Sequence, residues 1–424
     1  MAARDISVAD PARAAALEFL DELFRDLRPG ELQVRLWDGS LWRPAGAAAV
    51  TLVLKSPGAL RAMFASPSDL SLGEAYIYDD FDIEGDIEVI FPIADRLFER
   101  HRGLGERLRY RSLLKRLPHD GPSRPQPVHL AGAPHSKERD RQAVTYHYDV
   151  GNDFYRLWLD RRMVYSCAYF NTPDDDLDAA QERKLDYICR KLRLRPGERL
   201  LDVGCGWGGL IIHAAANYGV EALGITLSKP QAEFAQERIR EQGLQDRCRA
   251  EVRDYRELEG GFDRLVSVGM FEHVGARLLP DYFHRAWRLL RPGGVFLNHG
   301  IAESALKPDR GASFSAKYVF PDGELVPIHT ALRAAEEAGW EVRDVESLRE
   351  HYALTLHHWV RRLQKNAAQA RQIAGEVAYR VWRLYMAGSA HRFRTGWFNL
   401  YQALLVKADQ GRSGLPLTRA DWYV

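Results

Sequence analysis

Cysteine is scarce in this 424-residue chain. Cys167, Cys189, Cys205 and Cys248 are too few for a secreted disulfide framework and lack zinc-ligand spacing, which favours a reducing compartment. An excess of either charge is missing too. With 59 Lys and Arg against 58 Asp and Glu, the net charge of +1 offers polyanions no overall attraction, so no nucleic acid partner is expected. No apolar run approaches the ~18 residues of a membrane span. The opening MAARDISVADPARAAALEFL carries acids where a signal peptide needs an unbroken apolar stretch, so the expectation is a cytoplasmic protein. Internal repeats and low-complexity tracts are lacking. His357 and His358 are adjacent rather than four apart, and His351 has no partner at that spacing, so no metal is expected. What is present is a 46% hydrophobic composition, enough to build a large core in two or three domains.

The stretch 121–142, GPSRPQPVHLAGAPHSKERDRQ, mixes proline, charge and small polar groups without an apolar period and reads as a linker between a domain over 1–120 and another over 143–424. Before it, LQVRLWDGSLWRP and AAVTLVLKS alternate as strands do, and ALEFLDELFRDL has the spacing of an amphipathic helix, which predicts a small mixed α/β domain. Residues 95–117 set many Arg and Lys among Leu and Phe, as a membrane-surface helix does. Asp95, Glu99 and Glu106 interrupt the basic face, and the plainer reading is a solvated helix packed on its own domain. After the linker, strand and helix patterns alternate from RLLDVGC to VFLNHGI, which predicts a doubly wound parallel sheet.

LLDVGCGWGG puts Gly204, Gly206 and Gly209 in a G-x-G-x-x-G pattern between an apolar strand and a helix. Both dinucleotide and S-adenosylmethionine sites use this first strand-to-helix turn. A nicotinamide site wants an acid at the end of the second strand, where EALGITLS has Thr226 and Ser228. Asp202 before the loop and Asp254 after AEVR instead match the way methyltransferases hold the methionine end and adenine of S-adenosylmethionine. SVGMFEHVG then sets Glu272 beside His273 after an apolar strand, either as chemistry or as the polar start of a helix.

YHYDVGNDFY, MVYSCAYF, LLDVGCGWGG, GITLSKPQ, DRLVSVGMFEHVG, FLNHGI, KYVFPDGEL and EHYALTL occur in order along the chain, and together they resemble the cyclopropane fatty acid synthases, including the mycolic acid cyclopropane synthases. The resemblance implies a class I S-adenosylmethionine-methyltransferase fold, Rossmann-like, behind a smaller N-terminal lipid-associated domain. SLGEAYI at 71–77 resembles the N-terminal domain of the longer, phospholipid-acting members. Carried over by position, the cofactor contacts fall on Tyr165, Ser166, Gly204, Gly206, Thr226, Gln231, Asp254 and Tyr255, which join Asp202 as the ninth expected cofactor position. The family's bound bicarbonate, a catalytic base, would be held at Cys167, Glu272, His299, Ile301 and Tyr352. The family often has a hydroxyl residue where this chain has Gly300.

The implied activity is transfer of a methylene group from S-adenosylmethionine to the cis double bond of an unsaturated phospholipid acyl chain. The implied setting is peripheral, on the inner face of the cell membrane, and the resemblance also points to a homodimer, whose two membrane contacts would add avidity. An alkene is a poor nucleophile, so such chemistry needs a dry pocket and close positioning. Phe314, Tyr318 and Phe320 are candidates for stabilising a passing cation, or ordinary core residues. Rival readings are a methyltransferase that leaves a methylene branch, one acting on small amines or hydroxyls, and a lipid-binding protein with a decayed catalytic fold.

Overall fold

The structure is a computed structural model that describes residues 10–43, 48–100, 103–118, 131–133, 135–148, 150–306 and 313–423, with the backbone alone for Thr145, Tyr146 and Tyr148. It divides into two compact units. One draws on Met1–Val128, Asp309–Tyr318 and Glu376–His391, the other on His129–Pro308, Val319–Gly375 and Arg392–Val424.

The first unit opens with α1 (Pro11–Leu23). Asp10 caps it by accepting from Ala12 N at 2.9 Å, and Pro11 costs nothing in a first turn whose N–H has no intrahelical acceptor. Its buried stripe is Ala15, Ala16, Phe19, Leu20 and Leu23. There follow β1 (Gln33–Arg35), β2 (Leu41–Trp42), β3 (Val50–Leu54), α2 (Ala59–Phe64), α3 (Asp69–Ile77), β4 (Phe81–Gly85), α4 (Ile90–Glu99) and α5 (Leu104–Lys115). The sheet runs β2-β1-β3-β4, with β1 and β3 parallel and the other pairs antiparallel.

Two of the acids that interrupt the basic stretch, Asp95 and Glu106, are engaged within this unit. Asp95 pairs with His391 at 2.6 Å, and Glu106 binds Arg100 at 3.1 Å and also Arg25. Tyr110, Leu113 and Leu114 bury the inner side of α5, while Leu104 and Leu108 stand 77% and 60% exposed. Arg107, Arg111 and Lys115 share that outer face without an ion pair among the described residues, whereas Arg109 and Arg116 pair with Glu22 and Glu18. The stretch forms the end of α4 and all of α5, and the buried inner side of α5 agrees with the plainer reading of a helix packed on its own domain.

The second unit begins with α6 (Lys137–Tyr148), α7 (Asn152–Arg156) and α8 (Leu177–Leu192). Residues 121–130 of the expected linker lie outside the described residues, but α6 starts inside that stretch. Ser136 Oγ accepts from Arg139 N at 3.3 Å there, and Glu138 and Asp140 favour the helix N-terminus. Next come β5 (Arg199–Val203), α9 (Gly209–Tyr218), β6 (Glu221–Thr226), α10 (Lys229–Glu241), β7 (Cys248–Val252), β8 (Phe262–Val268), α11 (Leu279–Leu289) and β9 (Leu290–Glu303). The chain continues through α12 (Phe314–Tyr318), α13 (Ile328–Glu337), β10 (Glu341–Ser347), α14 (Arg349–Lys365), α15 (Ala367–Arg394) and β11 (Phe398–Val406).

The large sheet has the order β10-β11-β9-β8-β5-β6-β7. From β7 to β9 the pairing is parallel, and β11 runs antiparallel to both its neighbours. The expected doubly wound arrangement is present. The chain winds outward from β5 to β6 and β7 on one side and to β8 and β9 on the other, so the strand ends at β5 and β8 open a crevice where such sheets bind ligands.

Two late segments return to the first unit. In α12, Phe314 packs on Gly73 and stacks on Tyr318 at 5.1 Å, and Tyr318 Oη donates to Glu74 at 2.9 Å. Helix α15 kinks at Gly375, whose φ of 83° is left-handed, and its second half carries Arg380 and Arg383. Arg380 donates to Asp79 at 2.8 Å, Asp82 at 3.2 Å and the Tyr76 carbonyl at 2.9 Å, and Arg383 donates to Tyr76 Oη at 2.7 Å.

Candidate active site

Where β5 ends, the chain turns through Gly204 and Gly206 with φ of 88° and 54°, values that glycine adopts without a steric penalty. A Cβ on Gly204 would meet Met270 Cβ at 2.9 Å, so the close approach of the loop after β8 also requires glycine. This turn floors a cleft that all nine sequence-derived cofactor positions line. Tyr165 and Ser166 come from the loop before α8, and Asp202, Gly204 and Gly206 from β5 and its turn. Thr226 and Gln231 follow β6, and Asp254 and Tyr255 follow β7.

Their polar atoms are unevenly satisfied. Thr226 Oγ1 donates to Gln231 Oε1 at 2.8 Å, which turns the Gln231 amide so that its buried Nε2 has no partner. Asp202 Oδ1 is likewise buried and unpartnered, and burial pushes this carboxyl up to about 7 against the pull of Lys184. Asp254 behaves differently. Burial works against its charge, but Arg256 donates to it at 2.8 and 2.6 Å and holds the carboxyl below its ordinary range. Arg256 in turn reaches Asp140 at 2.9 Å.

The five remaining candidates are joined by short hydrogen-bonded paths. Ile301 N donates to Glu272 Oε1 at 2.7 Å, and Gly269 N donates to the His299 carbonyl at 2.9 Å, so the turn after β8 is fastened to the end of β9. Ile301 pairs with Leu400 on β11, and the Leu400 carbonyl accepts from Leu348 N at 2.8 Å. The Leu348 carbonyl, at the head of α14, accepts from Tyr352 N at 3.0 Å and lies 3.8 Å from Cys167 Sγ. The YSCAYF loop is clamped to the same helix: Ala168 N donates to Thr355 Oγ1 at 3.0 Å, and Phe170 N to His351 Nδ1 at 3.1 Å.

Burial fixes the charge states here. The Cys167 thiol is pushed far up and stays protonated, and His299 is pushed well below its ordinary range and stays neutral. Gln402 Nε2 lies 3.1 Å from His299 Nδ1, and with the amide assigned in this orientation as donor the ring proton sits on Nε2. Burial raises the Glu272 carboxyl to about 7 although Ile301 N favours its charge. Glu272 Oε2 and His299 Nε2 are both buried without a partner. At Gly300, a side chain would begin 3.0 Å from the Phe271 ring, so the ring occupies the space that a hydroxyl residue would use.

Of the aromatic candidates, Phe320 belongs to this unit, where it stacks on His147 at 4.3 Å and neighbours His273 at 5.8 Å. Phe314 and Tyr318 are held in the first unit as described. Sequence reasoning missed a denser cluster. Tyr165 lies 5.3 Å from Trp359, 5.5 Å from Trp158 and 5.8 Å from Tyr155, ring centre to ring centre. The signal was available in NDFYRLW just upstream of the YSCAY motif. Lys184, His273 and Arg256 also line the cleft and were not singled out as ligands. His273, neutral because burial lowers it to about 4, gives its carbonyl to His135 Nδ1 at 3.2 Å. No cluster of metal-ligating groups occurs among the described residues.

Comparison with known proteins follows the same lines. The profile of the family described as mycolic acid cyclopropane synthetase matches residues 135–403, and a domain of unknown function matches 19–99. A Pseudomonas putida protein named "Probable fatty acid methyltransferase" is 44% identical over 400 residues, 92% of this chain and 96% of the relative. The cyclopropane-fatty-acyl-phospholipid synthase of Escherichia coli strain K12 is 38% identical over 285 residues, 67% of this chain and 72% of its own. Among solved structures, mycolic acid cyclopropane synthase CmaA1 complexed with SAH and CTAB aligns with a TM-score of 0.60 and 37% identity, over 62% of this chain and 97% of the other.

Proposed function

The chain belongs to the mycolic acid cyclopropane synthetase family and is an S-adenosylmethionine-dependent methyltransferase, and from that premise we propose that it converts the cis double bond of an unsaturated phospholipid acyl chain into a cyclopropane ring. The observation that carries this reading is the pair of unsatisfied buried atoms, the Glu272 Oε2 acceptor and the His299 Nε2 donor. Buried polar atoms are nearly always paired, so two of opposite character point to a small ligand that both donates and accepts. Bicarbonate fits them, with its O–H toward Glu272 and its oxygens toward His299, Tyr352 and Cys167, while Ile301 N takes part by holding the other oxygen of the Glu272 carboxyl. When bound, it supplies a compact base for a proton of the newly added methyl.

S-adenosylmethionine supplies an electrophilic sulfonium methyl. The protein's part is to hold that group with Gln231 Nε2, Asp202 and the glycine turn, and to exclude water from the alkene. A protonated Cys167 and a neutral His299 suit a site where positive charge develops on the acyl chain, because a thiolate there would itself be alkylated. The rings of Tyr165, Trp158 and Trp359 can stabilise passing positive charge. In Glu272→Gln, turnover should fall by about 10²–10⁴-fold, the usual range for general acid–base groups, while SAH binding measured by calorimetry stays near wild type. Equal loss of both would remove Glu272 from the base site.

The outer face of α5 supports docking on the anionic inner face of the cell membrane, since free cations beside exposed leucines suit that surface. Reversing Arg107, Arg111 and Lys115 together should cut co-sedimentation with phosphatidylglycerol vesicles without changing SAH binding.

The second reading, a methylene branch, is favoured by the name of the Pseudomonas putida relative. Proton loss from the new methyl closes a ring while the cation sits on the adjacent carbon. The same loss after a hydride shift leaves a branch. Incubating the protein with S-adenosylmethionine and vesicles of cis-monounsaturated phospholipid, then recording proton NMR of the extracted chains, separates the two: upfield ring methylene signals support the proposal, and vinylidene signals overturn it.

A further inference from the structure

Helix α8 buries a lysine completely. Lys184 is 1% exposed, on the same face as Ala180, Gln181 and Ile188, a position where an ammonium is costly unless something neutralises it. Its Nζ donates to Ser166 Oγ at 2.9 Å, a neutral acceptor, and no carboxylate lies within ion-pair distance among the described residues. Asp160, a buried acid outside the cleft whose charge favours the ammonium, has both oxygens engaged by the backbone: Oδ1 accepts from Val164 N at 2.8 Å and Oδ2 from Arg162 N at 2.9 Å. One turn earlier on α8, Gln181 Nε2 donates to the Ser166 carbonyl at 2.8 Å, so the helix fixes the loop that presents the serine.

Lys184 and Ser166 line the cofactor cleft, and so does Asp202 with its unpartnered Oδ1. At this end of the cleft, away from the Asp254–Arg256 pair, Lys184 and Asp202 are both buried, feel each other's charge and are not paired together. The amino-acid end of S-adenosylmethionine is a zwitterion, with an ammonium for Asp202 and a carboxylate still to be received. Burial lowers Lys184 to about 8, which leaves it mostly charged at neutral pH, and an anion beside it would strengthen that charge.

We propose that Lys184, acting with Ser166, is the positioning residue that receives the carboxylate of the cofactor's amino-acid end and so fixes the direction of the sulfonium methyl. The assignment rests on the cleft being the S-adenosylmethionine site. It makes Lys184 a determinant of cofactor orientation, not a group that touches the reacting atoms.

The test is equilibrium binding by calorimetry of two ligands to the full-length protein: SAH and its decarboxylated analogue S-adenosyl-3-thiopropylamine. The wild type should prefer SAH by roughly ten- to a hundredfold, the range of a charge-assisted hydrogen bond. In Lys184→Met that preference should collapse towards unity, with binding of the decarboxylated analogue little changed, and in Lys184→Arg it should partly return. A purely structural lysine would weaken both ligands alike and leave the ratio intact, which would overturn the proposal. Should Lys184→Met not fold, the wild-type ratio alone decides, since equal affinity for the two ligands overturns the assignment. Failure of the wild type to bind SAH at all would instead sink the cofactor reading on which it stands.

Discussion

At the scale of single residues, burial decides which groups carry charge. Glu272 titrates near 7 because desolvation outweighs the Ile301 N–H that favours its ionised form. A raised carboxyl is neutral below that value and ionised above it, and the ionised form is the acceptor that a bicarbonate O–H needs. The rate of acyl-chain modification should therefore fall as pH drops through about 7; a rate flat across the neutral range would exclude Glu272 as the controlling group. Stripping carbon dioxide from the assay should slow the reaction and added bicarbonate restore it. That the nine expected cofactor positions would share one cleft was legible because seven of them lie at or after the ends of β5, β6 and β7, where chain order and spatial order coincide, while Tyr165 and Ser166 sit together in one motif before α8. Lys184 was not, because ERKLDYI places it among charges that read as a solvated helix face, and only the packing of α8 shows that it points inward.

At the scale of elements, the YSCAYF loop keeps its shape through a helix distant in sequence. Thr355 on α14 accepts from Ala168 N, and its own hydroxyl donates to the His351 carbonyl at 2.7 Å. Thr355→Val keeps the volume and leaves a buried N–H without an acceptor, which costs about 1–3 kcal/mol. Thermal unfolding should show that loss, and turnover should fall further than stability because Cys167 is the loop's next residue; unchanged values for both would mean that the clamp is incidental. Gly300→Thr tests the Phe271 contact: the variant should lose stability by about 1–3 kcal/mol through overpacking, and a smaller residue at 271 should recover part of it. The strand and helix order was readable from periodicity. The antiparallel insertion of β11 between β9 and β10 was not, since nothing in FNLYQALLV specifies its direction.

At the scale of the whole molecule, the chain passes between its two units more than once. Residues Asp309–Tyr318 and Glu376–His391 join the first unit although the surrounding sequence builds the second. The contacts responsible, Arg380 with Asp79 and Asp82, span 301 and 298 residues, a separation at which composition and periodicity carry no signal. Arg380→Met should destabilise the first unit by about 2 kcal/mol, since two backbone carbonyls and three carboxylates, those of Asp79, Asp82 and Glu376, lose a donor. SAH affinity should hold, and an unaltered melting profile would argue against the role.

That threading also limits how such a gene can be shortened. A new start codon after residue 128 would delete the N-terminal elements but keep α12 and the second half of α15, leaving the guanidiniums of Arg380 and Arg383 and their apolar neighbours without the surface they were folded against. Trimming to a catalytic core therefore demands coordinated resurfacing of two remote helices, and a simple truncation is expected to yield aggregating protein even where every catalytic motif survives.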